Sequence, residues 1–401
     1  MKALAAAALT ALLATGTPAH AADAAVPDTT ACVRGLRADA LGKGITATTF
    51  DTALAGFEPD PTVLEAMRFQ PEFRTPIWDY LAGLVDDERV ADGRERLAQW
   101  AKVLDAAEQA YGVDRHTIVA VWGVESDFGR RAGTRSLVRS LTTGSCLGTR
   151  QAFFRNELVA TLRIVQSGEI PAEALTGSWA GAFGQTQFMP TTYLRLAVDF
   201  DGDGRRDIVG SVPDALGSTA NYLKRAGWRT GQTWGYEVRV PKGYAGTTGR
   251  RNRLALAQWA AAGIRTLDDK APEGPGPAAL LLPAGAAGPA FLVFPNFDAI
   301  FAYNAAESYA LAIAHLADRL RGAGPIVTAW PTDDRGLARV ERREVQQRLI
   351  GRGLDLGAAD GVIGLKSQAA IKAFEAEAGL PVTGRAGGRV LEALRAAPPK
   401  P

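Results

Sequence analysis

Cysteine, histidine and methionine are scarce in this chain of 401 residues, with two, three and three copies. His116 has no partner at metal-ligand spacing, and neither a Ser/His/Asp constellation nor a Walker-type phosphate loop is present. Histidine-based nucleophilic catalysis and P-loop chemistry therefore find no support. Charge of one sign is lacking too. Lys and Arg number 45 against 43 Asp and Glu, a net +2 that gives no reason to expect nucleic acid as a partner. Beyond the N-terminus no apolar run approaches the ~18 residues of a membrane span.

What is present is ordinary globular material: 47% hydrophobic and 22% charged residues, in a length that suggests two or three domains. Lys2, the apolar stretch Ala3 to Leu13 and an Ala-x-Ala pattern at Ala19 to Ala21 read as a secretory signal peptide over residues 1–21. No Cys stands next to the cleavage point, so a lipid anchor is not expected, and with no other long apolar run no membrane anchor is expected either. The expected location is the periplasm. In that oxidising compartment Cys32 and Cys146 invite one disulfide, with two free buried thiols as the alternative.

From about Asp28 to Gly227 the apolar periodicity is helical. Between Trp234 and Phe297 the texture changes to β-prone runs, Tyr236 to Val240, Ala279 to Pro283 and Ala290 to Phe294, separated by Gly and Pro. Helix resumes at Ser308 to Leu320. Residues 322–334 read as a linker, and residues 335–396 carry a duplicated loop-and-helix pattern that predicts a small independent module.

Glu125 stands at the end of the apolar run Thr117 to Val124. Ile118, Val121, Trp122 and Glu125 share one helical side, which places the carboxyl in a poorly hydrated pocket at the negative end of a helix. Both effects favour its protonated form, as a general acid requires. A buried Glu paired with Arg130 or Arg131 is the equal alternative. Asp127, two residues on, does not face Glu125, so the two do not form the carboxylate pair of ordinary glycosidases.

Asp199, Asp201 and Asp203, followed by Gly204 and the Arg205 carbonyl, alternate oxygen ligands as a calcium loop does. Gly210 stands where such loops carry a bidentate Glu, leaving Asp207 or Asp214 to complete the shell. A plain Asp/Gly turn is the alternative. The segment Gly177 to Pro190 mixes glycines, amides and aromatics in a way that suits sugar binding or, equally, helix packing. Tyr303, Asn304 and Tyr309 add a second polar and aromatic cluster.

In this order, Gly123-Val-Glu-Ser-Asp-Phe-Gly129, Gly177 to Gly184, Gln187-Phe-Met-Pro190, Val198 to Gly204, Ala220-Asn-Tyr222 and Tyr303-Asn304 resemble the B-type lytic murein transglycosylases, glycoside hydrolase family 103. The resemblance implies a mainly α fold: a lysozyme-like catalytic core with a small β subdomain over residues 28–321. It implies Glu125 as catalytic acid; Arg150, Ser178, Gln187, Phe188, Tyr222, Tyr303, Asn304 and Tyr309 as substrate-cleft residues; and a metal loop of Asp199, Asp201, Asp203, Arg205 and Asp214. Thr149-Arg150 stands where the family can carry two arginines. Residues 335–396 resemble a three-helix peptidoglycan-binding module. The implied activity cleaves peptidoglycan glycan strands, leaving 1,6-anhydromuramic acid ends. No catalytic cofactor is implied, and calcium would be structural. A hydrolytic muramidase and a non-catalytic wall-binding protein are the alternatives, and other cell-wall enzymes stay open as partners.

Overall fold

A computed structural model describes residues 28–68 and 75–397. The expected signal peptide, residues 1–21, and the Pro-rich end, residues 398–401, lie outside the described residues. Helix dominates, as the periodicity predicts, and the described residues fall into four apolar clusters.

The first cluster is built around the helix Arg115–Ser126. Asp114 caps it, its carboxylate accepting from the Thr117 N–H at 2.9 Å, an arrangement typically contributing ~1 kcal/mol. The sequence places one side of this helix inward, but every residue from Thr117 to Gly123 is buried. The helix is central, wrapped by Glu307–Arg321, Asp87–Gln99, Ala101–Tyr111 and Val212–Arg225. A helix that is apolar all round has nowhere else to go.

The second cluster joins Leu137–Leu147 and Gln151–Ser167 to the N-terminal helix Thr30–Gly42. Cys32 and Cys146 are disulfide-bonded across it, with Cα atoms 5.7 Å apart at a sequence separation of 114. In the chain-entropy model a loop of that length is worth ~4 to 5 kcal/mol. Tyr303 packs against both the first and the second cluster, so the seam between them runs past this residue.

The β subdomain is a five-stranded antiparallel sheet in the spatial order Arg253–Leu254, Ala278–Leu281, Ala290–Val293, Gly235–Arg239, Arg265–Thr266. Its three longer strands are the three β-prone runs. The two outer ones are only two residues long, too short for an alternation to be read from sequence. Residues 322–334 run beside this sheet without helix or strand. The Val327 and Thr328 N–H groups donate to the Glu237 carboxylate at 2.8 Å each.

The last cluster is the core of three helices, Arg339–Ile350, Leu365–Glu377 and Gly388–Ala396, with Leu337, Val345, Leu349, Ile371, Phe374 and Leu391 inside. This module shares no apolar core with the rest, yet it is docked. Arg385 forms a two-pronged pair with Asp79 (2.5 and 2.6 Å), Arg343 pairs with Glu88, and Arg339 reaches Asp127 at 2.8 Å. Ion pairs hold this module on the catalytic body.

Candidate active site

Glu125 lies in the last turn of the central helix and lines an open cavity of about 400 Å³. The residue keeps some surface toward that cavity, while its carboxyl is surrounded by protein. Burial raises its pKa from 4.5 to about 8, against the opposing effect of a hydrogen bond donated by the Tyr309 hydroxyl. Among the described residues no arginine pairs with it. Arg130 goes to Asp92 and Asp127, and Arg131 reaches the Asp360 carbonyl. The site therefore holds an acid that keeps its proton at neutral pH.

The backbone behind Glu125 turns sharply. Asp127 is left-handed (φ 54°, ψ 47°), and Phe128 follows at φ 59°. Non-glycine residues in this region cost of order 1–3 kcal/mol each, so something must hold them. Phe128 folds back edge-on to Trp122, with ring centroids 5.7 Å apart. Gly123 makes room for it, since a Cβ there would sit 2.7 Å from the Phe128 ring. The Ser126 hydroxyl donates to the Gln185 carbonyl and accepts from the Gly129 N–H at 2.9 Å, tying the turn to the Gly-rich segment.

Asp127 is the other anchor. Burial alone would raise its pKa, but Arg89, Arg339 and Arg130 together hold it below the ordinary value. Arg339 donates to its two oxygens at 2.8 and 3.2 Å, Arg89 at 3.2 Å, and Arg130 lies at 3.2 Å. Arg339 belongs to the C-terminal module. The module also lines the Glu125 cavity with Arg342, Gly361, Val362 and Ile363, beside Asn304 and Tyr309 from the core.

The other residues that the resemblance assigns to the cleft, Arg150, Ser178, Gln187, Phe188, Tyr222 and Tyr303, do not line the Glu125 cavity. Phe188, Tyr222 and Tyr303 make a ring cluster, with centroids 4.5 to 5.9 Å apart, and Tyr303 continues to Tyr309 at 6.4 Å. These rings are fixed by hydroxyl bonds from Tyr303 to the Thr186 carbonyl and from Tyr222 to the Ala302 carbonyl. Gln187, at φ 52°, donates to the Ala132 and Gly184 carbonyls, both at 2.8 Å. Ser178 accepts the Ala182 N–H within its own turn, and Arg150 lies over the Phe153 ring. Gly177 to Gly184 forms turns instead of a helix; a Cβ at Gly177 would meet the Ala182 carbonyl oxygen at 2.1 Å. Its glycines thus serve the segment's own close backbone approach.

Asp199, Asp201 and Asp203 are exposed, and a carboxylate oxygen from each lies within 4.8 Å of the others. Three carboxylates converging in this way suit a hard, oxygen-seeking cation. Asp214 stands apart from that cluster. Its buried carboxylate accepts from the Phe200, Asp201 and Asp207 N–H groups and so orders the loop from behind.

Arg89, Asp127 and the module arginines are the part of the site that residue-by-residue reading did not find. The only trace in the sequence is the basic face Arg339, Arg342, Arg343 at helical spacing, which a solvated surface would also show.

Comparisons with known proteins agree with this architecture. The transglycosylase SLT domain profile matches residues 28–318, and a peptidoglycan binding domain profile matches residues 339–394. The chain is 33% identical to membrane-bound lytic murein transglycosylase B of Escherichia coli K12, over 62% of this chain and 66% of that protein. The crystal structure of SltB3 from Pseudomonas aeruginosa in complex with NAG-anhNAM-pentapeptide is 47% identical, with TM-score 0.73, covering 91% of this chain and 98% of that one. Escherichia coli Slt35 in complex with calcium is 29% identical, with TM-score 0.64, covering 72% and 92%. The expected mainly α, lysozyme-like fold with a small sheet stands, and since the first profile spans well over half of its length, the chain belongs to the transglycosylase SLT domain family.

Proposed function

We propose that the chain is a lytic transglycosylase of peptidoglycan that cleaves the β-1,4 bond between N-acetylmuramic acid and N-acetylglucosamine and leaves a 1,6-anhydromuramic acid end. The observation that carries this reading is the isolation of Glu125. Among the described residues lining its cavity, Asp79 is the only other carboxylate, and it is engaged by Arg385. A retaining or inverting pair thus lacks its second member. One group must serve both steps.

Glu125, protonated at neutral pH, gives its proton to the glycosidic oxygen as the bond breaks. The resulting carboxylate takes the proton of the muramic acid C6 hydroxyl, which attacks C1 of the same ring and closes the anhydro bridge. Because the nucleophile is tethered, effective molarity can supply up to ~7 to 11 kcal/mol of the barrier when the geometry is near attack. Tyr309 fixes the carboxyl, and Asn304 with Tyr303 would orient the sugar. Phe188, Tyr222, Gln187, Ser178 and Arg150 would extend the glycan cleft away from the reacting bond. The anhydro sugar bound in the SltB3 relative supports this product.

Asp199, Asp201, Asp203 and the Arg205 carbonyl would hold a structural calcium ion, as the calcium complex of Slt35 supports. The periplasm is the location that fits the substrate, and no described helix is long and apolar enough to cross a membrane. Purified sacculi digested with the protein should release muropeptides lighter by one water than reducing-end products. Reducing ends alone, by mass spectrometry, would make the protein a hydrolytic muramidase.

A further inference from the structure

Among the described residues, four arginines line the Glu125 cavity: Arg89, Arg131, Arg339 and Arg342. Arg89 and Arg339 are committed to Asp127. Arg342 differs. Its guanidinium donates to one neutral acceptor, the Gly83 carbonyl at 3.1 Å, its buried Nε has no acceptor, and it makes no ion pair among the described residues. Arg131 is half-exposed, donating to the Asp360 carbonyl at 3.1 Å, with the Asp360 carboxylate only at 3.9 Å. Of the two carboxyl groups among the described residues lining the cavity, Asp79 is engaged by Arg385 and Glu125 is protonated. The described lining is therefore cationic: Arg342 feels the buried Asp86 without forming an ion pair with it, and Arg131 has the Asp360 carboxylate only at 3.9 Å.

We infer that Arg342 and Arg131 form a carboxylate-binding site, which receives an acidic group of the peptide stem carried by muramic acid next to the cleaved bond. The inference rests on the proposed action on peptidoglycan and adds a substrate determinant to it. The glycan itself is neutral once the muramic acid carboxyl is amide-linked, so a buried cation has no use for the sugars. The stem retains free carboxylates. A planar guanidinium can meet a carboxylate with two parallel hydrogen bonds, and it discriminates against a neutral amide of the same shape. Burial lowers the Arg342 pKa to about 10, with the nearby Asp86 carboxylate opposing that effect and the neighbouring arginines adding to it, so an incoming anion would favour the charged guanidinium. Val362 and Ile363 supply an apolar lip for the stem's methyl groups beside the charge. Arg342, Val362 and Ile363 come from the C-terminal module, so docking of the module completes this site.

The test uses the full chain carrying Glu125→Gln, so that binding is read without turnover. Three tetrasaccharide ligands are compared by calorimetry: one with pentapeptide stems, one with the stem carboxylates amidated, and one without stems. Affinity for the carboxylate form should exceed that for the amidated form about ten- to a hundredfold. Arg342→Gln should abolish this difference without weakening binding of the stem-free glycan, and Arg342→Lys should restore part of it. Equal affinity for carboxylate and amidated ligands overturns the inference, as does an equal loss on the stem-free glycan in Arg342→Gln. If that variant is unfolded by its melting curve, the amidation comparison in the Glu125→Gln chain decides alone. Failure of the protein with Glu125 intact to release anhydro products, with discrimination between stems retained, would sink the proposed reaction and leave this site standing.

Discussion

Glu125 and Asp127 are two residues apart at the end of one helix, both are withdrawn from water, and they are held in opposite charge states. Around Glu125 the nearest partner is the neutral hydroxyl of Tyr309, and burial pushes the pKa to about 8. Around Asp127 three guanidinium groups converge, and the pKa falls despite burial. Burial alone therefore decides neither chemistry. What decides is whether a cation shares the pocket, and the left-handed turn at Asp127 and Phe128 sends the second carboxylate to the arginines while leaving the first alone.

The strongest way to break this contrast is to remove the titrating proton. Glu125→Gln should reduce turnover of a soluble glycan by ~10² to 10⁴-fold or more, since one group serves two steps. Turnover within tenfold of the parent would exclude Glu125 from the chemistry. The same variant tests the pKa. Between about 4.5 and about 8 the folded chain keeps a proton that the unfolded chain releases. This group's contribution to stability thus falls as pH rises across that window, by about 1.4 kcal/mol per unit. The melting temperature of Glu125→Gln should rise relative to the parent from pH 5 to pH 8, and kcat of the parent should fall above about pH 8. A constant difference in melting temperature would show that Glu125 titrates alike in both states.

Removing the other carboxylate should act on stability first. Asp127→Asn leaves Arg89 and Arg339 buried against a neutral amide, and breaking such a pair from one side typically costs ~3 to 5 kcal/mol. The module should loosen, and residues 322–334 should become the first site of protease cleavage. Deleting residues 335–396 removes Arg339 from the same cluster, so turnover of short soluble glycans should fall along with binding to sacculi. Unchanged kinetics on the short substrate would return the module to the role of a tether.

Much of this was legible in the sequence because it is local. The apolar run ending in Glu125, the β-prone stretches, the Asp199 to Asp203 alternation and the duplicated module pattern each lie within a few residues of themselves. The Cys32–Cys146 bond was legible for another reason, that two cysteines in a chain whose sequence reads as exported have one pairing. Arg339 and Asp127 are 212 residues apart, and nothing in either segment's periodicity couples them. The full burial of the helix Arg115–Ser126 was missed likewise, because the packing partners Glu307–Arg321 and Val212–Arg225 come from distant stretches.

The loop of Asp199, Asp201 and Asp203 is a third arrangement of carboxylates, exposed and mutually close, with no ion pair to an arginine among the described residues. From a metal-free start, calcium at a hundred times its dissociation constant should stabilise the fold by ≈ 2.7 kcal/mol. Asp201→Asn should weaken that response without altering the kcat of folded enzyme. Identical melting curves in calcium and in chelator would leave the loop a turn held by Asp214.

The smallest effect expected comes from the one hydrogen bond that Glu125 does have. The Tyr309 hydroxyl donates to its carboxyl oxygen and thereby favours the ionised form, against the larger effect of burial. Tyr309→Phe keeps the ring and deletes the donor. The Glu125 pKa should therefore rise, and the alkaline fall of kcat should move to higher pH. A neutral hydrogen bond contributes ~1 kcal/mol, so the shift should stay under about one unit. At neutral pH protonation of the leaving group is preserved, because Glu125 is already in its acid form. The second step loses a group that positions the carboxylate, and kcat should fall only a few-fold. The sign separates this account from one in which Tyr309 is a proton donor in its own right. A donor's removal would collapse kcat at every pH, whereas a hydrogen bond that tunes Glu125 displaces the profile and leaves its height nearly unchanged.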